Sequence, residues 1–330
     1  MSTSVVQRVF SRADLPDATL GTRVKRFIGD YGLAVVFAVV FVYFSISAPG
    51  FLTVDNISNV VRQSSIVGLV AFGITIVMIT SGIDLSVGSV VGLSAVAAAI
   101  AGTAGDGSTV LAIGAGVAVG LVVGLVNGAM VTWGGIIPFL ATLATLAVAR
   151  SAALIITNGQ PVFGLPDSFQ WLGTGLLGPV PVPVVLFLLI AVVTDFVLSR
   201  TRFGRHVYAV GGSEESAQKV GIQVRRIKFA VYSISGLLAA LAGIVLTARV
   251  DGADPLAGTG YELQAIAAAV IGGTSLFGGR GSIRGTVLGV LLLGFVTNGL
   301  NLLNVSSYYQ QGVQGLVLVL AVLLSRWKSD

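Results

Sequence analysis

The chain has 330 residues, of which 55% are hydrophobic and 10% are charged, and its mean hydropathy is +0.95. A soluble domain carries roughly 25% charged residues because its surface faces water. This composition therefore excludes soluble enzymes and nucleic-acid-binding proteins, and it predicts an integral membrane protein. The chain has no cysteine and a single histidine, His206, which excludes a disulfide scaffold, thiol catalysis and a histidine-based metal cluster.

Ten apolar segments predict an all-α, polytopic bundle of transmembrane helices. A helix needs ~20 mostly apolar residues to cross a hydrocarbon layer of ~30 Å. The segments are 32–48, 59–80, 86–102, 110–131, 137–157, 182–198, 227–249, 261–271, 285–303 and 309–324. The eighth segment is too short to span alone, so we expect a broken or short helix there. The bundle forms one domain over residues 32–326, between tails at 1–31 and 327–330.

The distribution of basic residues predicts the orientation of this bundle. If ten spans alternate, sixteen of the 19 Lys and Arg residues fall on one side, in the two tails, in the loop 200–228 and near 280–284. The positive-inside rule makes that side the cytoplasm. Both termini and the loop 200–228 are therefore predicted to be cytoplasmic, in a multi-pass protein of a bacterial inner membrane.

The 44 glycines fall into two kinds of pattern. Gly116, Gly120, Gly124 and Gly128 recur at every fourth position of one segment. Small residues at that spacing let membrane helices approach closely, either within one bundle or at a seam between subunits. Two other clusters, at 81–89 and 272–281, interrupt the apolar segments. Unwound backbone at membrane depth is tolerated only where protein or water satisfies it, so such breaks are typical of a transport pathway.

Asp84 lies in the first of these breaks, between two apolar segments. A carboxylate there is costly unless it is hydrated or paired, which favours a residue of a pathway or an interface. Asp84 and Ser86 also directly precede a helix, where free backbone N–H groups favour such acceptors. The two interpretations are compatible with each other.

The loop 200–228 contains a segment, 212–221, with the pattern of a short amphipathic helix. Ser213 is a suitable N-cap, Glu214 and Glu215 favour the helix start, Lys219 favours its end, and Gly221 favours its termination. Two isolated helical turns are marginal in water, so we expect either a cytoplasmic partner or the lipid headgroups to hold them. The chain has no G-x-x-x-x-G-K-[ST] phosphate loop. This combination suggests a permease without enzymatic activity of its own, powered by a separate subunit.

Six sequence stretches make the chain resemble the membrane subunit of ribose-type ABC sugar importers, from about residue 50 to 325. They are ITSGIDLSVGS at 79–89, IIPFLATL at 136–143, TNGQPV at 157–162, RTRFGRHVYAVGGSEESAQKVGI at 200–222, GTGYELQAIAAAVIGGTSLFGGRGSIRGT at 258–286 and NGLNLLNVSSYYQ at 298–310. The resemblance implies two permease subunits, alike or different, two ATPase subunits that use ATP, and a periplasmic sugar-binding protein. The cargo would be a monosaccharide, such as a ribose-like pentose or a hexose, or a related polyol.

The resemblance also implies roles for single residues. The short helix becomes a coupling helix that docks on the ATPase through Ser213, Glu214, Glu215, Ala217, Lys219 and Gly221. The chain departs from the family at Ser213, where Asn is frequent, and at Gln264, where Asp is typical. The second departure puts a carboxylate function at residue 264 in doubt.

Polar residues inside the apolar segments are candidates for the translocation pathway, because amides can donate and accept hydrogen bonds with hydroxyl-rich ligands. They are Asp84, Ser86, Asn127, Gln264, Asn298 and Asn301. Hydrogen bonding between helices is the alternative interpretation. Arg62 and Arg249, at predicted external helix ends, are candidates for docking the binding protein, and interfacial anchoring is their alternative. Two other functions remain open: a permease for an amino acid or a furanosyl signal, and a self-contained carrier or channel.

Overall fold

The computed structural model describes residues 20–105, 107–306, 308–310, 312 and 315–316, with side chains from residue 32 onward. Within these residues the first half of the chain forms five consecutive helices. They are α1 (Leu20–Ser47), α2 (Val54–Ile79), α3 (Val87–Thr103), α4 (Thr109–Thr132) and α5 (Pro138–Thr157).

The second half alternates long helices with short elements. They are β1 (Val162–Phe163), α6 (Asp167–Thr174), β2 (Leu176–Leu177), β3 (Val180–Pro181), α7 (Val182–Arg200), α8 (Arg202–Gly212), α9 (Glu214–Lys219), α10 (Val224–Val250), β4 (Gly252–Ala253), α11 (Tyr261–Ile271) and α12 (Ile283–Leu302). The strands form two small antiparallel pairs, β1 with β4 and β2 with β3.

Nine of the ten predicted segments coincide with helices, which confirms a polytopic helical membrane protein. Among the residues that the structure describes, six helices are long and apolar enough to cross a membrane: α2, α4, α5, α7, α10 and α12. Residues 32–47 of α1, together with α3 and α11, are apolar but shorter. The helix α1 begins at Leu20, before the predicted start at residue 32. Most of the tenth segment, the start of the N-terminal tail and all of the C-terminal tail lie outside the described residues, so the count of ten spans and the orientation remain predictions.

The bundle has two distinguishable ends. The pair β1–β4 joins the loop after α5 to the loop after α10, with Val162 opposite Ala253, and we call this the hairpin end. The helices α8 and α9 follow α7, whose 19 residues carry the chain about 28 Å away at 1.5 Å per residue. We call this opposite end the α9 end.

The centre of the bundle is built around α2 and α10. In the 18-residue apolar stretch of each helix, the share of buried residues is 78% in α2 and 61% in α10, but only 22% in α4. Their buried side chains share one core with α3 and α11. The helix α4 therefore lies at the periphery, with Val122 and Val126 exposed on its outer face.

The glycine ladder of α4 packs against α10 of the same chain. A Cβ atom at Gly120 would lie 2.4 Å from the Cβ of Ala240 and 2.5 Å from the carbonyl oxygen of Gly236. A Cβ at Gly124 would lie 2.7 Å from the carbonyl oxygen of Tyr232. Such distances leave no room for a side chain, so the packing within one bundle is confirmed for this ladder.

We expect Gly120→Ala to destabilise the bundle, because the added methyl group overlaps α10, and overpacking costs about 1–3 kcal/mol. Gly114→Ala is the matched control, since it lies on the same helix and a Cβ there meets nothing within 4 Å. Thermal unfolding in detergent, followed by tryptophan fluorescence, should show a lower Tm only for Gly120→Ala. Equal Tm values for the two variants would contradict the close approach of α4 and α10.

Candidate functional site

A cavity of about 800 Å³ lies between α2, α11 and α12, towards the hairpin end. Six amide side chains line it: Asn56, Asn59 and Gln63 from α2, Gln264 from α11, and Asn298 and Asn301 from α12. None of the lining residues that the structure describes is charged. The cavity therefore offers neutral hydrogen-bond donors and acceptors to a solute.

Some of these amide side chains form hydrogen bonds that link neighbouring segments. The Nδ2 atom of Asn56 donates to Oδ1 of Asn298 at 2.9 Å, and Nδ2 of Asn298 donates to Oδ1 of Asn56 at 2.8 Å. The Nε2 atom of Gln310 donates to Oδ1 of Asn301 at 2.6 Å. These pairs hold α12 against α2 and against the segment that follows α12.

Other polar groups of the cavity are open to a ligand. No partner among the described residues engages the side-chain amides of Gln63 and Gln264. Ser64 also lines the cavity, although its hydroxyl oxygen is buried, without a hydrogen-bond partner in the described part of the chain. A solute with hydroxyl groups could hydrogen-bond to the amides of Gln63 and Gln264.

The structure brings together three of the sequence-predicted pathway residues, Gln264, Asn298 and Asn301. Sequence reasoning missed Asn56, Asn59 and Gln63. Their spacing of three and four residues places them on one face of α2, and this pattern was the available signal.

The other three candidates, Asp84, Ser86 and Asn127, belong to a separate buried network. Oδ1 of Asp84 accepts from the backbone N–H of Ser86 at 3.1 Å and from its hydroxyl at 2.6 Å, and Oδ2 accepts from the hydroxyl of Ser235 at 2.8 Å. The Nδ2 atom of Asn127 donates to Oγ of Ser86 at 2.8 Å, and the hydroxyl of Thr145 donates to Oδ1 of Asn127 at 2.6 Å. This network ties the break before α3 to α10, α4 and α5.

The helix α9 matches the predicted short helix in the long polar loop. Oγ of Ser213 accepts from the backbone N–H of Ser216 at 3.2 Å, as an N-cap does. Gly221 has a φ of +83°, and the next amide, that of Ile222, donates to the carbonyl oxygen of Ala217 at 3.0 Å. Both ends of α9 are therefore capped by residues of this chain.

The side chains of α9 divide into an inner and an outer face. Ala217 is buried against Val210 of α8 and Val224 of α10, so it holds α9 in place and does not face outward. Glu215 and Lys219 form an exposed ion pair at 2.6 Å.

A second ion pair of α9 reaches the long helix beside it. Glu214 pairs with Lys228 of α10. Among the residues expected to dock on a partner, Ser213, Glu214, Glu215, Lys219 and Gly221 are exposed at the α9 end.

The two arginines singled out by the sequence lie at the hairpin end, beside the cavity. Nη2 of Arg249 donates to Oδ1 of Asn59 at 2.8 Å, and Asn59 lines the cavity. Arg62 lies one helical turn after Asn59, and its Nε atom is buried without a hydrogen-bond partner among the described residues. Arg249 therefore places a positive charge beside a residue that lines the amide-lined cavity.

Comparison with known proteins gives a consistent result. The model of a family described as "Branched-chain amino acid transport system / permease component" matches residues 56–322. The ribose import permease protein RbsC of Bacillus subtilis (strain 168) is 49% identical over 86% of this chain and 89% of its own length. The protein of the same name from Escherichia coli (strain K12) is 46% identical over 90% of this chain and 92% of its own length.

A further relative, the D-allose transport system permease protein AlsC of Escherichia coli (strain K12), is 42% identical over 90% of this chain and 91% of its own length. No solved structure matches the chain. The matched residues include α2 to α12 almost completely, and with them the cavity and α9. The chain therefore belongs to this family of permease components of membrane transport systems.

Proposed function

We propose that the chain is the transmembrane permease subunit of a bacterial ABC importer that moves a monosaccharide or a related polyol into the cell. The observation that carries the proposal is the cavity whose described lining contains six amide side chains and no charged one. Amide groups can both donate to and accept from the hydroxyl groups of a sugar. The names of the relatives, which specify ribose and D-allose, support the same class of cargo.

The chemistry of the cavity favours a sugar over an amino acid. A zwitterionic amino acid would bring an ammonium and a carboxylate group, and an unpaired charge is costly to bury. The described lining offers no charged side chain to either group. A neutral polyol loses only hydrogen bonds to water on entry, and the open amides of Gln63 and Gln264 replace them.

The exposed surface of α9 supports an importer that is powered by a separate ATPase subunit. Its five exposed candidate residues, Ser213, Glu214, Glu215, Lys219 and Gly221, are the proposed contacts with a cytoplasmic ATPase subunit, which binds and uses the ATP. The α9 end and both termini are then cytoplasmic, in line with the positive-inside distribution of Lys and Arg. This chain itself is proposed to bind no cofactor.

Two further partners complete the proposed assembly in the inner membrane. A periplasmic sugar-binding protein would deliver the cargo at the hairpin end, where Arg62 and Arg249 offer positive charge to acidic residues of its docking lobes. A second permease subunit, either a copy of this chain or a related one, would complete the passage beside the cavity.

We expect Gln264→Leu to lower ATP-dependent uptake of ribose into proteoliposomes that contain the permease, its ATPase and the binding protein. A lost hydrogen bond to an uncharged hydroxyl group corresponds to about 1 kcal/mol, or roughly fivefold in uptake at low ribose concentration. Stability should not fall, because the side-chain amide has no partner in the described part of the chain.

Gln160→Leu is the control for this variant, since it makes the same change at an exposed position outside the cavity lining. Uptake by Gln264→Leu at the wild-type rate would contradict the role of the cavity. Ribose uptake by the permease alone, without any ATPase, would overturn the importer and favour a self-contained carrier.

We expect Glu215→Lys to weaken binding of the ATPase subunit by about tenfold or more, because a reversed charge disrupts electrostatic complementarity at an interface. The fold should tolerate the change, since the ion pair of Glu215 with Lys219 is highly exposed, with side-chain exposures of 79% and 73%, and exposed pairs contribute little. Glu214 is unsuitable for this test because its partner Lys228 is only 15% exposed. Binding is measured by co-purification and by titration of ATPase activity.

Asp167→Lys provides the matched control for the charge reversal. Asp167 is also exposed and lies in the first turn of a helix, but it is on α6, away from the α9 end. It should leave the affinity for the ATPase unchanged. An unchanged affinity in Glu215→Lys would exclude this face of α9 as the docking surface.

A further inference from the structure

Three chain segments meet at the α9 end, and we call their meeting point the α8 junction. The segments are the end of α2 (79–81), the last turns of α8 (208–212) and the loop between α11 and α12 (272–282). The backbone N–H of Gly279 donates to the carbonyl oxygen of Ile79 at 2.9 Å. The hydroxyl of Tyr208 donates to the carbonyl oxygen of Gly281 at 2.8 Å.

The exposed residue Ser81 contacts the other two segments of the α8 junction. Its hydroxyl oxygen is 3.0 Å from the carbonyl oxygen of Phe277 and 3.3 Å from that of Gly211. The single proton of the hydroxyl group is donated to one of these oxygens at a time or shared between them. This one side chain therefore lies within hydrogen-bond distance of both α8 and the loop 272–282.

The segments are packed backbone against backbone. A Cβ atom at Gly211 would lie 1.7 Å from the carbonyl oxygen of Ile79, and one at Gly278 would lie 2.0 Å from Oγ of Ser81. A Cβ at Gly278 would also lie 2.8 Å from the carbonyl oxygen of Gly211. The two glycines therefore let the backbones approach closely, and the side chains of Ser81 and Tyr208 add hydrogen bonds across the same contact.

The α8 junction connects the two functional regions of the chain. On one side, α8 runs directly into α9, because Ser213 both ends α8 and caps α9. On the other side, α2, α11 and α12 are the three helices that carry the amides of the cavity. The helix α2 ends within its segment of the junction, α11 ends directly before the loop 272–282, and α12 begins directly after it.

Ser81 adopts a backbone conformation that requires an explanation. Its φ is +60°, in the left-handed region that favours glycine and that other residues seldom adopt. A glycine would fit this backbone with less strain, yet the chain has a serine, whose hydroxyl is used in the junction. Strained residues of this kind cluster where the strain is part of a mechanism.

We propose that Ser81 is a positioning residue that transmits the movement of the docking helix α9 to the amide-lined cavity. The proposal rests on the proposed function, since it assumes that an ATPase acts on α9 and that the cargo passes the cavity. It goes beyond that function because it assigns the mechanical link to one hydroxyl group.

The variant Ser81→Gly tests the link in the reconstituted complex with the ATPase and the binding protein. It removes the hydroxyl and relieves the left-handed strain, so the Tm of the permease should be equal or higher. Affinity for the ATPase should be unchanged because α9 is untouched. The number of ribose molecules imported per ATP hydrolysed should fall at least about threefold. This is the order of change expected when a hydrogen bond that favours one of two conformations is lost.

Thr80→Val is the matched control at the neighbouring residue. The hydroxyl of Thr80 donates within α2, to the carbonyl oxygen of Val77 at 2.8 Å, and makes no bond to α8 or to the loop. Its removal should leave the ratio of ribose to ATP at the wild-type value, and an equal loss in Thr80→Val would overturn the specific role of Ser81.

The other possible results of this experiment also test the role of Ser81. An unchanged ratio in Ser81→Gly overturns the link while the importer stands. A lower Tm, or loss of the ATPase from Ser81→Gly, would make Ser81 a residue of the fold or of docking and would also overturn the link. A wild-type complex that hydrolyses ATP without importing ribose would overturn the proposed function itself, and the link with it.

Discussion

The need to satisfy every backbone polar group inside a membrane is the constraint on which this structure depends. Two breaks, before α3 and between α11 and α12, release amide and carbonyl groups from helices, and the chain satisfies them in different ways. At the first break the side chain of Asp84 accepts hydrogen bonds from Ser86 and from Ser235 of α10. At the second break the backbone pairs directly with the end of α2, as Gly279 does with Ile79. The first solution fixes helices to one another through side chains, and the second allows the backbones to approach without them.

The same constraint separates two kinds of polar residue that look alike in the sequence. Asn127 is completely buried and bonded on both sides, to Ser86 and to Thr145, so it contributes to the rigidity of the bundle. Gln264 lies in a cavity of about 800 Å³, on the short helix that precedes the second break. A buried hydrogen-bond network in which every group has a partner specifies a single packing arrangement. Amides without a partner can instead form hydrogen bonds with a ligand. The break ends α11 after 11 residues, at the opposite end of this helix from Gln264.

Much of the fold could be predicted from the sequence because it depends on local patterns. Nine helices follow from apolar runs, and the short α9 follows from its cap residues Ser213 and Gly221. The cavity could be predicted only in part, since Asn56 meets Asn298 across 242 positions, and periodicity along one helix carries no information on its distant partner. The inward face of α9 was missed for the same reason. Ala217 is small and lies among polar residues, and only the packing of Val210 and Val224 against it shows that it is buried.

The helix α9 is only six residues long, and an isolated helix of this length does not form in water. Here it is held by its caps, by the buried Ala217 and by the ion pair of Glu214 with Lys228. A partner that binds it therefore has no ordering cost to meet, which favours tight docking. Rigidity has a second consequence, because a displaced rigid element moves whatever is bonded to it. Since α8 continues into α9 and contacts the end of α2 through backbone atoms, a force applied to the proposed docking surface of α9 would reach the end of α2.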